Sequence, residues 1–350
     1  MPFTPAQIAI GTNYSLETYS RKDPIDQINK NRPTLEWLIK NKESSLFGNG
    51  YCNERIHVSN GSNYQNYFGS DAVTYNDRDP NRLAKFAYSN FHDGFGFDED
   101  TLAANGIIVT EDKEAVASGA EKIQLSNLLK SSYYALKNSS QDGLNLELLQ
   151  DGSSSTKTCK GLDHLVSTTP SSGTVGNILA SNAYWQNNAN LAIATANLLD
   201  EMEESWRACI LYGGQMPDYI TAGAAFIDAY RAACVGLTTG VIQRQVTVSE
   251  KGGVGADGSI SGLFFKGIPI VWDPSFETLD ALLGVITYPW TKRCYFLNSN
   301  SVKLRPMTGH WMVNRKPEKL PDRYFHYWGM TSKYGMTTNK RNSNAVLSIA

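Results

Sequence analysis

In the first half of the chain the clearest alternation of apolar and polar positions lies between residues 116 and 138. There Leu125, Leu129, Tyr133 and Leu136 recur at gaps of 4, 4 and 3. That spacing is one stripe of an α-helix and predicts a long helix, with a loop over "SSQDGLNLELLQDGSSSTKTCKG" after it. "LDHLVST" then reads as a short buried element. A second stripe, Leu191, Ala194, Leu198, Met202, Trp206 and Cys209, predicts a helix over residues 189–212 that Gly213-Gly214 stops. After "DYIT", Thr221 is the expected N-cap of a shorter helix ending near Cys234. Nearer the start, Pro33 opens "PTLEWLIKN", where Leu35, Leu38 and Ile39 share a face. So short a helix is marginal alone and must lie against something else. With its polar, turn-rich surroundings, this first stretch reads as an arm.

Period-two patterning takes over between these helices and after them. "NERIHVS", with Ile56 and Val58 on one side, and "RLAKFAYSNF" both alternate as strands, and Gly, Asn and Asp fill the interval. Two readings fit: a projecting two-stranded element with an extended tip, or a loop excursion on a compact domain. An isolated hairpin is marginally stable at best. The tail is rich in strand candidates: "VIQRQVTVS", "LFFKGIPIVWD", "RCYFLN", "SVKLRP" and "HWMVN". Helices early and strands late give an α+β class, and no repeat of 20 to 50 residues is visible.

Composition narrows the function. A chain of 350 residues can bury a sizeable core, and a net charge of −2 argues against a dedicated polyanion binder. Cys52, Cys159, Cys209, Cys234 and Cys294 form no C-x-x-C pair, so a reducing compartment is expected, with neither a disulfide framework nor a zinc site. The first twenty residues lack the pattern of a secretion signal, and no apolar run is long enough to span a bilayer. A soluble intracellular product is the expectation.

Candidate chemistry adds little. Gly253-Val254-Gly255-Ala256-Asp257-Gly258 spells G-x-G-x-x-G, but a dinucleotide loop must open a helix. Here "SISGLFFKGIPIVWD" follows, with Pro269 and β-favouring residues, and Asp257-Gly258 is a favoured hairpin dipeptide. A flexible hairpin tip is therefore expected. His57, His92, His164, His310 and His326 stand in no zinc-binding spacing. Asp98, Glu99 and Asp100 are adjacent but lack the order of a calcium loop. Neither a nucleophile elbow nor a P-loop is present. No catalytic residue, cofactor or metal is expected. Tyr324, Phe325, Tyr327, Trp328 and Tyr334 crowd into one span, which fits cross-strand pairing or an interface, with a sugar platform as the alternative.

Three phrases carry a resemblance. "GLDHLVSTTPSSGTVGNI…NAYWQNN", "GGQMPDYITAGAAFIDAYRA" and "LFFKGIPIVWD" followed by "CYFLNSNSVKLRP" occur in an order similar to tailed-bacteriophage major capsid proteins of the Hong Kong 97 fold. The final "NKRNSNAVLSI" resembles the terminal strand of such proteins. The resemblance covers roughly residues 50–350. It implies an N-terminal arm (1–45), an extended two-stranded loop lying over a neighbouring subunit (46–108), and a peripheral domain with its spine helix (109–164). An axial domain (165–288) and the strands completing the peripheral domain (289–350) would follow. It also implies a structural protein of the virion shell, assembling in the host cytoplasm into hexamers and pentamers of an icosahedral head around double-stranded DNA. A scaffolding protein, a portal and a cement protein are the implied partners, with only non-specific proximity to DNA and no membrane. The long charged scaffolding region with which some relatives begin is absent here. Near-zero net charge suits such a wall, because a strongly basic lining would hold the genome through counterion release. A carbohydrate-binding or adhesive virion protein is the alternative, and a nucleotide-dependent enzyme a more distant one.

Charge is unevenly placed. Residues 291–341 are basic, carrying among others Arg293, Arg305, Arg315, Lys316 and Arg323, whereas residues 46–108 carry Asp77, Asp79, Asp98 and Glu99 beside Arg78 and Arg82. These eleven residues are the candidate subunit interface, the acidic loop of one copy meeting the basic tail of the next. The alternative is solvated charge on both segments.

Overall fold

The computed structural model describes residues 28–45, 50–98, 100, 119–213, 216–235, 263–315 and 325–350. The Gly253–Gly258 motif and "VIQRQVTVS" lie outside the described residues. In chain order the elements are α1 (Pro33–Lys40), β1 (Tyr51–His57), β2 (Asn81–Ala87), β3 (Ser89–Asp98), α2 (Gly119–Leu149) and α3 (Leu162–Leu165). Then come β4 (Thr174–Val175), β5 (Ile178–Leu179), β6 (Asn188–Ile193), α4 (Leu198–Leu211), β7 (Tyr219–Ala222) and α5 (Ala224–Val235). The last third holds β8 (Phe264–Phe265), β9 (Ile268–Trp272), α6 (Ser275–Leu283), β10 (Arg293–Leu297), β11 (Val302–Pro306), β12 (Val313–Arg315), β13 (Phe325–Thr338) and β14 (Ala345–Ile349).

Two compact units divide the chain. One comprises Asn31–Ser89, Asn145–Thr308 and Tyr334–Ala350. It is built on a six-stranded sheet of order β6-β14-β10-β7-β9-β8, parallel at β6–β14 and β7–β9 and antiparallel elsewhere. β10 lies at its middle, and all five of its residues are buried. Successive side chains of a strand point to opposite faces, so a strand covered on both faces must be apolar or internally paired throughout. Cys294 and Phe296 enter the core with Trp206 of α4, Phe226 of α5 and Phe265 of β8. Tyr295 instead meets Phe276 of α6 and Trp290, with ring centroids 6.1 and 5.9 Å away.

The short helix α1 finds its support on this unit. Leu35 and Leu38 are buried, Trp37 stacks on Tyr219 at 4.8 Å, and the Thr34 and Thr221 hydroxyls lie 3.3 Å apart. Thr221 is thus a buried residue of β7, not the N-cap expected of it, and α5 begins at Ala224. Residues 188–193 also depart from expectation. They form β6, parallel to β14 in the register Ala345↔Asn188, and the helix begins only at Leu198. Leu191 and Ala194 fit the helical stripe by spacing, but pairing with a strand more than 150 residues away takes precedence.

The other unit includes the described residues of Asn90–Leu144 and Gly309–Lys333. β12 pairs with β13 in the antiparallel register Asn314↔Met330, and β3 also pairs with β13. On α2, Tyr133 reaches Asn314 at 3.3 Å and the Ser140 hydroxyl reaches the Met330 sulfur at 3.7 Å. α2 runs on to Leu149, eleven residues past the expected end. The stripe explains this, because Ser140, Leu144 and Leu148 continue it at gaps of four and all three are buried. Gly143 faces open space and costs the helix only about 1 kcal/mol relative to alanine.

His164, on the short α3, gives the fold an expected acid response. Burial, aided by nearby Lys160 and Arg341, pushes its pKa down from 6.5 to about 4. The unfolded chain then binds the proton more readily, so this group's stabilisation is complete above pH 6.5. It is lost as the pH falls from there through 4. Melting temperature should drop over that window, and His164→Gln should flatten that part of the profile.

Candidate assembly interface

β1 and β2 form a two-stranded antiparallel ribbon, in register from Tyr51↔Ala87 to His57↔Asn81. Its burial alternates: Cys52 and Ile56 on one strand, Ala84 and Phe86 on the other, are covered. Over Ala84 and Phe86 the cover is the tight β4–β5 hairpin, where the Lys85 N–H donates to the Gly176 carbonyl at 2.8 Å. Gly176 has φ +60°, and a Cβ there would come 2.8 Å from the Phe86 ring and 3.0 Å from the Ala84 methyl. Only glycine allows both that backbone and that approach.

Charge also fixes the ribbon, through Glu54 on the same face as Cys52 and Ile56. Arg305 of β11 donates to Glu54 of β1 at 2.7 Å and pairs with Glu43 at 2.9 Å, while Lys303 also reaches Glu43. The Thr337 hydroxyl of β13 donates to the same Glu54 oxygen at 3.0 Å. Glu43 is delivered by backbone pairing: its N–H bonds the Leu304 carbonyl and that of Ser45 bonds Pro306, extending the sheet beside β11. The hydrogen bond from Lys303 and the Arg305 charge hold the Glu43 carboxyl below its ordinary pKa.

Beyond the paired strands, residues 58–80 run without helix or strand. Val58 N–H to Pro80 carbonyl closes their base at 2.8 Å, the Asn63 amide bonds the Thr74 hydroxyl at 3.0 Å, and Asp71 accepts the Phe68 N–H at 2.9 Å. The segment is thus internally organised, yet Tyr64, Phe68 and Tyr75 are 88%, 89% and 91% exposed. Three nearly bare aromatic rings within twelve residues are what a soluble monomer avoids and an interaction surface requires.

The candidate charges fall into three groups. Asp77, Arg78 and Asp79 are exposed on this tip, Arg82 at the start of β2 contacts Asp79, and Asp98 ends β3. Arg315 of β12 is exposed, its Nε on the Thr331 hydroxyl at 3.1 Å. Arg293 and Arg305 have partners inside the chain. Arg293 is 5% exposed, pairs with Asp163 at 2.9 Å, donates to the Tyr295 hydroxyl at 3.0 Å and lies 4.5 Å over the Trp290 ring. Burial outweighs that pairing and raises the Asp163 pKa above the ordinary carboxyl value. These two arginines hold the subunit together, a role their place in a basic tail does not announce. Glu99, Lys316 and Arg323 lie outside the described residues.

The clustered aromatics line a groove on the second unit. Phe325, Tyr327 and Trp328 of β13 adjoin Phe95 of β3, whose ring stacks on Trp328 at 5.9 Å. The groove has a volume of 590 Å³ and is lined further by His92, Gly94, Gly96, Arg315 and Gly329. A Cβ on Gly96 would lie 1.9 Å from the Phe325 ring, so β13 needs a bare backbone beneath it. Tyr334 is buried instead, donating to Glu147 at 2.7 Å, and Tyr324 lies outside the described residues.

Among the described residues no three His, Cys, Asp or Glu side chains come together as metal ligands. The thiols of Cys159 and Cys209 are pushed up to about 12 by burial, so neither is a ready thiolate nucleophile. No helix among the described residues is long and apolar enough to cross a membrane.

No protein-family model matches the chain, and no curated protein matches it. Solved structures do. The capsid asymmetric unit of cyanophage A-1(L) is similar at a TM-score of 0.59 and 14% identity, covering 95% of this chain and 97% of that one. A chain of Mycobacterium phage Bobi is similar at 0.53 and 9% identity, over 100% and 99% of the two chains. The capsid of a native GTA particle is similar at 0.52 and 9% identity, over 95% and 97%. Neighbours that span both chains from end to end at so little identity share an architecture, and this chain has the fold of phage capsid proteins, the Hong Kong 97 fold.

Proposed function

We propose that this chain is the major capsid protein of a tailed bacteriophage. It assembles into hexamers and pentamers of an icosahedral head enclosing double-stranded DNA, and it catalyses no reaction. The observation that carries this reading is the end-to-end likeness to the capsid chain of cyanophage A-1(L). The anchored ribbon with its bare aromatic tip supports it, since such a tip gains stability only by docking on another molecule.

In this reading residues 1–45 are the arm, its end secured by α1, and residues 46–108 are the extended loop. Residues 109–164 and 289–350 make the peripheral domain and residues 165–288 the axial domain. Partners are further copies of the chain, a scaffolding protein, a portal and a cement protein. Assembly takes place in the host cytoplasm and the product is the virion shell.

Sedimentation of the chain co-expressed with its companion head proteins tests the reading. It should run as a large, uniform particle; a lone subunit under every condition contradicts it. Reversing Asp77 and Asp79 to lysine should lower particle yield while leaving the subunit's circular dichroism unchanged. Exposed pairs contribute only about 0–1 kcal/mol each, but the loss recurs at every copy. Normal yield would reject acidic tip contacts.

A further inference from the structure

We infer that Asn60-Gly61, where the ribbon passes into its tip, is a self-modifying site: Asn60 is converted through a cyclic imide to a carboxylate, assisted by His57 and Ser59.

Asn-Gly pairs occur in the sequence at 49–50, 60–61 and 105–106, and only in the second are both residues described. Glycine suits the reaction because no Cβ obstructs the approach of its nitrogen to the preceding side chain. Gly61 sits at φ +51°, and its N–H takes part in no backbone pairing among the described residues. That N–H instead donates to the Ser59 hydroxyl at 3.1 Å, which gives its proton an acceptor. Asn60 is exposed, and its side-chain oxygen lies 2.8 Å from His57 Nε2. An amide oxygen can only accept, so Nε2 carries the hydrogen and donates it. His57 is held at the end of β1 by its pairing with Asn81, so this donor stands on a strand and not on the loop it serves.

The step is a ring closure. The Gly61 proton passes through the Ser59 hydroxyl to water as the Gly61 nitrogen bonds to Asn60 Cγ. Negative charge collects on the side-chain oxygen, where the His57 N–H already points. The Cγ–Nδ2 bond then breaks, and Nδ2 takes a proton from water and leaves as ammonia. Water opens the imide at either carbonyl, giving aspartate or isoaspartate at position 60. Neither oxidant nor cofactor enters, and the chain is altered for good, so this is modification and not turnover. Each event adds one negative charge beside the Val58–Pro80 bond that closes the tip, and the iso form lengthens the backbone by one carbon.

The test is peptide mapping by mass spectrometry of the full, unassembled chain, incubated at physiological pH and temperature in heavy-oxygen water, which labels each new carboxyl. A preorganised donor is worth about 10²–10³ in a water-excluded site and less in solvent, so the folded chain should convert position 60 about tenfold faster than the same chain unfolded in urea. His57→Ala and Ser59→Ala should each remove most of that acceleration, with conversion at Asn105 the same in every variant. Ser59→Thr, which keeps the hydroxyl, should keep the rate. Circular dichroism checks that each variant is folded, and the two Ser59 variants decide the matter should His57→Ala not be. A folded chain that keeps Asn60 intact, or converts it no faster than the unfolded chain, overturns the inference. So do folded His57→Ala and Ser59→Ala chains that convert at the wild-type rate.

Discussion

Replacing Arg341 by alanine should cost the subunit about 3–5 kcal/mol in unsatisfied acceptors and lost packing, a large share of a typical stability of about 5–15 kcal/mol. Arg341 is 1% exposed and pairs with no carboxylate among the described residues. Its guanidinium donates to the Leu165 carbonyl at 2.8 Å, the Trp185 carbonyl at 2.7 Å and the Asn187 side-chain oxygen at 2.8 Å. Burial lowers its pKa to about 10, which leaves it charged at neutral pH. Each bond from a charged donor contributes about 1.5–3 kcal/mol, while burying the charge offsets part of the sum. Alanine would strand two buried carbonyls, leave the Asn187 oxygen with only the Ser167 N–H, and open a cavity. The damage would travel, because Trp185 donates its indole N–H to Val175 at 2.9 Å, in the hairpin that seats the ribbon. Arg341→Met, which fills space but donates nothing, should fall almost as far. Urea unfolding of the unassembled subunit reads both; a loss below about 1 kcal/mol would show that water replaces the guanidinium freely.

Arg293→Ala should be comparably severe, at about 3–5 kcal/mol, for a different reason. It removes the charge that Asp163 faces and the cation over Trp290. Asp163 would be left in a site whose burial already raises its pKa, so that pKa should rise further. A carboxyl raised above its unfolded value adds stability at low pH and loses it as the pH climbs through the folded value. The variant's deficit should therefore be largest near neutrality and shrink on mild acidification. Asp163→Asn in the Arg293→Met background should restore much of the loss, since a neutral pair leaves no buried charge. A deficit that is flat with pH would contradict this origin.

Where local physics decides, the sequence is easily read. Pro33 and the Leu35/Leu38 face gave α1, and the alternation around Ile56 and Phe86 gave both ribbon strands. The strands β9, β10 and β11 follow from β-branched and aromatic runs. Misreadings cluster where a distant segment decides. β6 looks helical until β14 is placed beside it, and α2 continues through Gly143 because its stripe stays buried. α6, read as part of a strand-rich tail, is secured by the turn that follows it: Phe276 sits against Trp290, and Asp280 accepts the Trp290 and Thr291 N–H groups at 2.7 and 2.9 Å. The candidate interface was legible as a charge imbalance but not as geometry. Composition cannot distinguish Arg315, exposed on β12, from Arg293 and Arg305, whose partners Asp163 and Glu54 lie at least 130 residues away. The groove left a trace in the aromatic run at 325–328, but its other wall, Phe95, and its glycine floor come from β3.

Electron microscopy of material purified from cells making this chain with its companion head proteins tests the central claim most directly. Uniform, closed icosahedral particles whose wall is this polypeptide are the expected result. Compact single subunits under the same conditions, with no closed particle in any fraction, would contradict it.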